Sequence, residues 1–344
     1  MTVRQPRPTL RDVAEAAGVS KTTAVFVLND RPGFSIPDET RNRVQSAAKQ
    51  LGYRRNGLAA ALSRGRTGSI GIVVSMLSAP LNPQLGEDYL LGIILGATRA
   101  ASGAGLRLTT IAYTTDNPPT ADEVTDNRVD GLILVGILHE EVARTIYATG
   151  FPCITIGSGY AERRVTADNV GGAVQAVEHL LALGHTRIAY ASPLMTEADR
   201  ERRQGWRETM ERHGLSADGL DQDWEPLLQR LLNGTADRPT AIFCRNDGYA
   251  AFLIRSARQN GIRVPEDLSV VGFDSGVIAE AMDLTSVRNP LPEQTKCAVD
   301  MLNRLIAGED VPPITVLPTE LDIRHSTAPP SHAPRARIDT QKEP

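Results

Sequence analysis

The chain has 344 residues, a formal net charge of −4 and only 4% aromatic residues, and its length exceeds one ordinary domain. It contains no apolar run of the roughly 18 residues that a membrane-spanning helix needs, and its N-terminus lacks the apolar core of a signal peptide, so we expect a cytoplasmic protein. The three cysteines, Cys153, Cys244 and Cys297, are odd in number and show no metal-ligand spacing; we expect neither a disulfide framework, nor a metal, nor a cofactor.

Two short helices joined by a glycine turn are the first elements predicted along the chain. Residues 9–29 read TLRDVAEAAGVSKTTAVFVLN, in which Gly18 interrupts apolar residues at helical spacing. Thr9 and Asp12 form a capping-box pair for the first helix, and Ser20 can cap the second. The pattern predicts a helix-turn-helix, although a helix-turn-Gly-helix also occurs as plain packing. The apolar positions of the two helices are Leu10, Val13, Ala14, Ala17, Val25 and Leu28.

A third helix follows the helix-turn-helix. Pro37 stands near its first turn, Asp38 and Glu39 lie at its positive end, and Gly52 ends it. Residues 1–66 hold 12 Lys and Arg against 5 Asp and Glu, whereas the rest of the chain is net acidic. A basic head on an acidic body suits a protein whose head alone touches phosphate, the alternative being a solvated basic surface. The apolar stripe of the third helix is Val44, Ala47, Ala48 and Leu51.

Strands and helices alternate along the rest of the chain. Short β-branched runs such as SIGIVV, DGLILVG and LSVVGFD are separated by helical stretches such as VGGAVQAVEHLLALG. Alternation of this kind predicts parallel sheets covered by helices on both faces. Residues 328–344 are proline-rich and polar, without a leucine heptad, and we expect a disordered tail there. The predicted fold class is therefore α/β, with an all-α helix-turn-helix head at the N-terminus.

The motifs occur in the order found in the lactose repressor (LacI/GalR) family of bacterial transcription regulators. The resemblance rests on TLRDVAEAAGVS, ETRNRVQSAAKQLGYRRN, ALSRGRTGSIGIVV, HLLALGHTRIAY, RPTAIFCRNDGYAA, GIRVPEDLSVVGFDS and ELDIRHST, which lie between residues 9 and 327. It implies a DNA-binding head at 1–55, a hinge helix and linker at 56–68, and an effector-binding, dimerising body at 69–327. The body would be similar to periplasmic binding proteins, with two parallel-sheet α/β subdomains and a ligand cleft between them.

The resemblance also implies the partners of the chain. They are double-stranded operator DNA, a small-molecule effector and a second copy of the chain, with no membrane. We expect a repressor whose operator binding is changed by a sugar. The alternatives are a nucleoside or purine effector, or a cytosolic ligand-binding protein without a regulatory role. The sequence has no Gly-rich phosphate loop and no nucleophile elbow, so we predict no enzymatic activity.

The positions that resemble DNA-contacting residues of the family include one departure. Phe26 stands where relatives carry an arginine that reaches a base, and phenylalanine can only touch a thymine methyl or pack inward; both interpretations stay open. Leu62 matches the leucine that wedges into the central base step from the hinge helix, the alternative being ordinary helix packing. The predicted DNA-binding residues are Thr9, Ser20, Lys21, Thr22, Thr23, Phe26, Asn29, Asn56 and Leu62.

Six further residues match positions at which the family holds its effector. Arg202 offers several N–H donors in a rigid fork, Trp224 offers an aromatic face for a sugar ring, and acidic and amide side chains follow predicted strands at their carboxyl ends. Four of the six have a plainer interpretation: a solvated charge for Arg202, helix caps for Asp247 and Asp274, and packing for Trp224. The predicted effector-binding residues are Asp168, Arg202, Trp224, Asn246, Asp247 and Asp274.

Overall fold

The computed structural model describes residues 8–29, 35–54, 65–76, 87–114, 117–135, 140–192, 196–233 and 238–331. The chain divides into two compact units, Met1–Gly68 and Ser69–Pro344. The predicted hinge residues Asn56 and Leu62 lie outside the described residues, as do the side chains of Asn29 and Trp224. Within the described ranges, no helix is both long enough and apolar enough to cross a membrane.

Three helices form the described part of the first unit, and their ends agree with the capping signals of the sequence. The Thr9 side chain accepts a hydrogen bond from the Asp12 backbone N–H while Asp12 accepts from Thr9, which is the predicted capping box. Gly18 takes the left-handed conformation, at φ +63°, that lets the chain leave the first helix at once. The helices are α1 (Leu10–Ala17), α2 (Lys21–Asn29) and α3 (Asp38–Gln50).

The buried face of the head corrects two of the predicted apolar positions. Ala24 and Val27 are the fully buried residues of α2, whereas Val25 is only half-buried. Leu51, which was expected on the apolar stripe of α3, is exposed over 38% of its surface because the helix has already ended at Gln50. The core consists of Val13, Ala14, Ala17, Ala24, Val27, Val44, Ala47 and Ala48, with Leu10, Val19, Leu28, Ile36 and Tyr53 packed against it.

The second unit contains two six-stranded sheets. The alternation of strands and helices predicts parallel sheets, and the family resemblance implied two of them. In the first sheet, which we call the N-terminal subdomain, all strand pairs are parallel. Its strand order is β11-β5-β4-β3-β1-β2. Its elements are β1 (Ser69–Met76), α4 (Glu87–Gly103), β2 (Arg107–Thr114), α5 (Ala121–Val124), β3 (Leu132–Val135), α6 (Glu140–Ala148), β4 (Cys153–Ile156), β5 (Arg164–Ala167), α12 (Leu291–Ile306) and β11 (Ile314–Leu317).

The second sheet, which we call the C-terminal subdomain, has the order β12-β10-β9-β8-β6-β7, and only β12 runs antiparallel to its neighbour. The chain therefore passes between the sheets three times, after β5, after β10 and after β11. The elements are α7 (Asn169–Ala182), β6 (Ile188–Ala191), α8 (Glu197–Arg212), β7 (Asp221–Gln222), α9 (Trp224–Asn233), β8 (Ala241–Cys244), α10 (Asp247–Gln259), β9 (Ser269–Asp274), α11 (Val277–Met282), β10 (Ser286–Arg288) and β12 (Glu320–Asp322).

The central strands are short, apolar and completely buried, because helices cover both faces of each sheet. Strands β3, β4, β6 and β8 are buried at every residue. On one face of the first sheet, α4 and α12 pack closely because glycines face the second helix. A Cβ atom at Gly96 would collide with the side chain of Thr295. The two helices therefore pack side by side against the first sheet.

The ordered body continues beyond the boundary predicted at residue 327. The Ala328 backbone N–H donates to Ser269 Oγ over 3.0 Å, and the Ala328 carbonyl oxygen lies 2.9 Å from both Ser269 Oγ and His185 Nε2. His185 is buried, and its other ring nitrogen lies 2.9 Å from Thr240 Oγ1. Residue 328 is therefore tied into the C-terminal subdomain by hydrogen bonds, and it does not belong to the tail.

Candidate functional sites

The N-terminus of α2 presents a polar, accessible surface in the head. The Thr23 backbone N–H donates to Ser20 Oγ over 3.0 Å, so Ser20 caps this helix as predicted. The hydroxyl oxygens of the Ser20 and Thr23 side chains lie 2.8 Å apart. Lys21 and Thr22 are exposed in the same turn. Short polar and cationic side chains at an exposed helix N-terminus are the groups that reach base edges and phosphates when such a helix enters a major groove.

Phe26 occupies an intermediate environment in α2. It is half-buried and does not belong to the buried core of the head. Thr9 is exposed, and its hydroxyl is engaged by the Asp12 carboxylate at 2.9 Å. The structure thus leaves Ser20, Lys21 and Thr22 as the accessible polar residues of the turn that begins α2.

A cavity of about 970 Å³ lies between the two subdomains of the body. Its walls come from α4, the ends of β8 and β9, the start of α11 and the start of α12. Three of the six predicted effector residues, Asn246, Asp247 and Asp274, line this cavity. Tyr89, on α4, lines it as well. This position at the carboxyl ends of parallel strands is the one that the general rule for open α/β sheets predicts.

Arg202 does not itself line the cavity; it is buried beside Asp274, which does, and it is held on several sides. Its Nε donates to the Asn169 Oδ1 oxygen over 2.9 Å, and Nη1 donates to the backbone carbonyl of Arg245. The guanidinium carbon lies 3.6 Å from the centre of the Phe273 ring, and Nη2 is 3.8 Å from Asp274 Oδ1. A guanidinium fixed in this way presents donors in a set orientation and loses little rotamer entropy on binding a ligand.

Asp274 is the acidic partner of Arg202. It ends β9 with φ +103°, a backbone conformation that side-chain-bearing residues rarely adopt. Its Oδ1 accepts a hydrogen bond from Asn289 Nδ2 over 3.1 Å. Burial raises the pKa of Asp274, although the neighbouring Arg202 charge opposes that shift. A strained carboxylate beside a buried guanidinium fits an acceptor of ligand hydroxyls rather than the plain helix cap considered from the sequence.

Asp247 has a largely structural environment despite lining the cavity. One carboxylate oxygen accepts from the Gly276 backbone N–H over 3.0 Å, and the other accepts from the Ser286 hydroxyl. Burial, together with the charge of Asp274, raises the pKa of Asp247 to about 7. The residue thus ties the β9–α11 connection to β10, and its charge is easily lost near neutral pH.

Asp168 and Asn246 act as helix caps. The Asp168 Oδ1 oxygen accepts from the Gly171 backbone N–H over 2.8 Å at the start of α7, and Asn246 Oδ1 accepts from the Tyr249 N–H over 2.9 Å at the start of α10. The sequence suggested a helix cap at Asp247, but the residue that caps α10 is its neighbour Asn246. Trp224 begins α9, and its side chain lies outside the described residues.

Comparison with known proteins identifies the family. Residues 9–56 match the model of bacterial regulatory proteins of the lacI family, and residues 177–327 match the periplasmic binding protein-like domain. The chain is similar to the HTH-type transcriptional regulator DegA of Bacillus subtilis (strain 168), with 32% identity covering 94% of this chain and 99% of DegA. CelR of Thermobifida fusca also shows 32% identity, over 94% of this chain and 99% of CelR. The chain belongs to the lacI family of bacterial regulatory proteins.

Solved structures of lacI-family proteins match the whole architecture. The lac repressor dimer bound to operator and the anti-inducer ONPF has a TM-score of 0.80 and 27% identity, covering 94% of this chain and all of that one. A CelR–cellobiose complex has a TM-score of 0.65 and 31% identity, covering 93% of this chain and all of that one. The protein is therefore a transcriptional regulator of this family with a helix-turn-helix head and a two-subdomain body. Its relatives are regulators and not enzymes.

Sequence reasoning missed the charged and polar residues that surround Arg202 in this lacI-family protein. Asp199, in the first turn of α8, binds Arg245, which follows β8 and lies 46 positions away along the chain. Asn169 Nδ2 donates to the Glu201 carboxylate over 2.8 Å and to Ser158 Oγ over 3.1 Å, and so links the two subdomains beside Arg202. Only the position of Arg245 directly before Asn246, at the end of a predicted strand, could have singled out one of these residues.

Tyr89 could not be assigned from the sequence because the preceding loop aligns loosely with the family. In the structure it lines the cavity, and burial together with the Asp274 charge raises the pKa of its hydroxyl. It therefore stays a neutral hydrogen-bonding group at any working pH. In the described part of the chain, no group of three or more His, Cys, Asp or Glu side chains is arranged to hold a metal ion.

Proposed function

We propose that the protein acts in the cytoplasm, at the nucleoid, as a homodimeric repressor whose operator binding is changed by a sugar in the cleft. The observation that carries the proposal is the Arg202–Asp274 pair, which adjoins a cavity of about 970 Å³ in the same chain that carries the DNA-reading head. A guanidinium and a carboxylate side by side can give and receive the hydrogen bonds of neighbouring sugar hydroxyls. A ligand that contacts both subdomains can change operator affinity by favouring one of their arrangements.

Two similar proteins support DNA, a second copy of the chain and a sugar as the partners. The lac repressor structure is a dimer on operator DNA, and the CelR structure holds cellobiose. This chain carries one head, so two copies would read two half-sites of a pseudo-palindromic operator about one helical turn apart. We assign base-edge contacts to Lys21 and Thr22, and phosphate contacts to Thr23 and Asn29.

The remaining predicted contacts complete the assignment. The exposed Thr9 and Ser20 would approach phosphate oxygens, and Phe26 would replace a base-reading arginine with a contact to a thymine methyl. Asn56 and Leu62 would act in the hinge, Leu62 as the wedge that bends the duplex. In the cleft, Trp224 would stack on a sugar ring, with Asp168, Asn246 and Asp247 orienting the loops around it.

Two measurements on the full chain test this function. In a mobility-shift assay with DNA from upstream of the protein's own gene, we expect a complex whose affinity falls steeply as salt rises, and sedimentation should show two chains per complex. A thermal-shift screen of neutral sugars, purines and nucleosides should give stabilisation by a sugar. A monomer on DNA would refute the homodimer, and stabilisation by purines alone would refute the sugar effector.

A further inference from the structure

The side-chain amide of Asn169 is hydrogen-bonded at both of its ends. Asn169 is buried and is the first residue of α7, directly after the passage from β5. Its Nδ2 donates to Glu201 Oε2 over 2.8 Å and to Ser158 Oγ over 3.1 Å, and its Oδ1 accepts from Arg202 Nε over 2.9 Å. Ser158 Oγ in turn donates to the same Glu201 oxygen over 2.5 Å. The four side chains therefore form one connected polar cluster, with Asn169 at its centre.

The chemistry of the two charged partners fixes the orientation of this amide. A carboxylate only accepts hydrogen bonds and a guanidinium only donates them, so an amide between the two has its nitrogen toward Glu201 and its oxygen toward Arg202. A carboxyl group in place of the Asn169 amide would offer no N–H to Glu201. An aliphatic side chain would leave the buried Nε of Arg202 without this acceptor. The pattern of donors and acceptors therefore requires an amide at this position.

Ser158 reaches the cluster from the N-terminal subdomain. It lies in the loop after β4, between Gly157 at φ +99° and Gly159 at φ +135°, which are backbone conformations that favour glycine. Arg164 Nη1 donates to the Gly159 carbonyl oxygen over 3.0 Å and so holds the loop to β5. The Ser158 side chain is thereby presented, buried, to the other subdomain. The cluster around Asn169 joins this loop to the first turns of α8.

The guanidinium of Arg202 carries the effect of Asn169 to the cavity. Asn169 holds Nε, the backbone carbonyl of Arg245 holds Nη1, and the ring of Phe273 lies against the guanidinium plane at 3.6 Å. Nη2 then lies 3.8 Å from Asp274 Oδ1. Asp274 lines the cavity, whereas Arg202 and Asn169 do not. Because the guanidinium is planar and rigid, a displacement at Nε also moves Nη2 relative to the Asp274 carboxylate.

We propose that Asn169 is a positioning residue of the effector site, which acts through Arg202 on Asp274, and that Glu201 holds its amide in the required orientation. The inference rests on the proposed effector function of the cleft. It has a specific consequence, because the amide and the carboxylate can be exchanged. The double variant Asn169→Asp/Glu201→Gln keeps the net charge of the cluster and restores an N–H donor facing a carboxylate, whereas Asn169→Asp alone sets two carboxyl groups against each other.

The first test measures sugar affinity by calorimetry on the full chain. The probe is whichever of glucose, galactose, maltose and cellobiose raises the melting temperature of the natural chain most. Asn169→Asp should weaken binding by about tenfold or more, because the new carboxylate repels Glu201 and draws Arg202 away from Asp274. Glu201→Gln should change the affinity of the natural chain less than about threefold, since the new amide oxygen still accepts from Asn169 and Ser158.

The same Glu201→Gln change should have the opposite sign in the Asn169→Asp background, where it should restore binding by about threefold or more. A double variant that binds no tighter than Asn169→Asp would overturn the positioning role. The matched control is Asn303→Asp, which adds the same charge at an exposed position on α12 and should bind normally. A loss in Asn303→Asp equal to that in Asn169→Asp would also overturn it, because added charge alone would then explain the effect.

The second test needs no sugar, so it separates a failure of the proposed effector from a failure of this inference. Urea denaturation of the full chain gives the unfolding equilibrium constants of Asn169→Asp, Asp274→Asn and their combination. Because both residues act on Arg202, the two effects should be non-additive by about threefold or more in that constant. Additive effects would overturn the positioning role, whether or not any sugar binds. If no sugar stabilises the natural chain, the proposed sugar effector fails and this second test decides the role of Asn169.

Discussion

The head and the cleft carry their functional groups in opposite ways. In the head, Lys21 and Thr22 are exposed, while the core that supports them is made of alanine and valine. In the cleft, Arg202, Asp247 and Asp199 are buried and hold the fold by their own hydrogen bonds. Binding groups in the head can therefore be changed at little cost in stability, whereas changes in the cleft affect binding and folding together.

The largest effect should come from Asp199→Ala. This change leaves the largely buried guanidinium of Arg245 without its hydrogen-bonded carboxylate and removes the capping box of α8, so the free energy of unfolding should fall by about 3–5 kcal/mol. Urea denaturation measures it. The matched control is Glu140→Ala, which breaks an exposed ion pair with Arg144 and should cost less than about 0.5 kcal/mol. Equal losses in the two variants would mean that the buried pair has no special structural role.

Arg202→Ala and Asp274→Ala should come next, as losses of ligand affinity. Each removes one charged contact at the cleft floor and should weaken the effector identified by the screen by about 2–3 kcal/mol, or about thirty- to hundredfold. Operator binding without ligand should be unchanged. Calorimetry measures the first quantity and a mobility shift the second. Normal ligand affinity in both variants would place the effector site elsewhere, provided that melting shows both variants to be folded.

Lys21→Ala should separate binding from stability in the head. Because Lys21 is exposed, the unfolding free energy should change by less than about 0.5 kcal/mol. Specific operator binding should weaken by about 1–3 kcal/mol if its ammonium group reaches a base. The ratio of operator to random-DNA affinity is the measurement that matters. A uniform loss on both DNAs would make Lys21 a phosphate contact instead.

The smallest effect concerns the pH dependence of stability through Asp247. Its pKa of about 7 in the folded chain lies above the ordinary value of 3.8, so the folded state retains a proton that the unfolded state has released. Stability from this group is present at low pH and falls as the pH rises through about 7. Asp247→Asn lacks this titration, and its amide can still donate to Ser286 Oγ.

The expected readout is the difference in unfolding free energy between Asp247→Asn and the natural chain. As the pH rises from 5 to 7, the unfolding free energy of the variant should increase relative to that of the natural chain by up to about 1.4 kcal/mol per pH unit. Asp310→Asn, at an exposed carboxyl after α12, serves as the comparison. A constant difference over that interval would show that Asp247 is already ionised at pH 5.

Local signals explain which parts of the structure followed from the sequence. The Thr9–Asp12 capping box, the Ser20 cap and the Gly18 turn depend on residues close along the chain, and all three formed as expected. The buried face of α2 was harder to predict because alanine and valine fit either face of so short a helix. The helix buries Ala24 and Val27 instead of Val25.

Pairings between distant residues explain what the sequence did not reveal. No local feature of the sequence distinguishes Arg245 from the other arginines. Its pairing with Asp199 exists only because the fold brings the end of β8 next to the first turn of α8. Similarly, Ala328 continues a proline-rich stretch by composition, yet its backbone is bound by Ser269 and His185. Asn246 and Asp168 matched family positions in the cleft, but capping geometry, which needs the helix to be in place, shows that their side-chain oxygens already have partners.

The three passages of the chain between the two sheets constrain how the protein can be made. Helix α12, which buries Ala298, Val299 and Leu302 against the first sheet, is encoded after almost all of the second subdomain. As the ribosome releases the chain, β1 to β5 emerge early, but the apolar face that α12 covers waits for more than a hundred residues. Neither subdomain is a contiguous gene segment, so a chain halted or cut near residue 168 yields no complete half. Synthesis of β6 to β10 must precede completion of the N-terminal subdomain, and during that interval the apolar face that α12 covers is open to aggregation in the nascent chain.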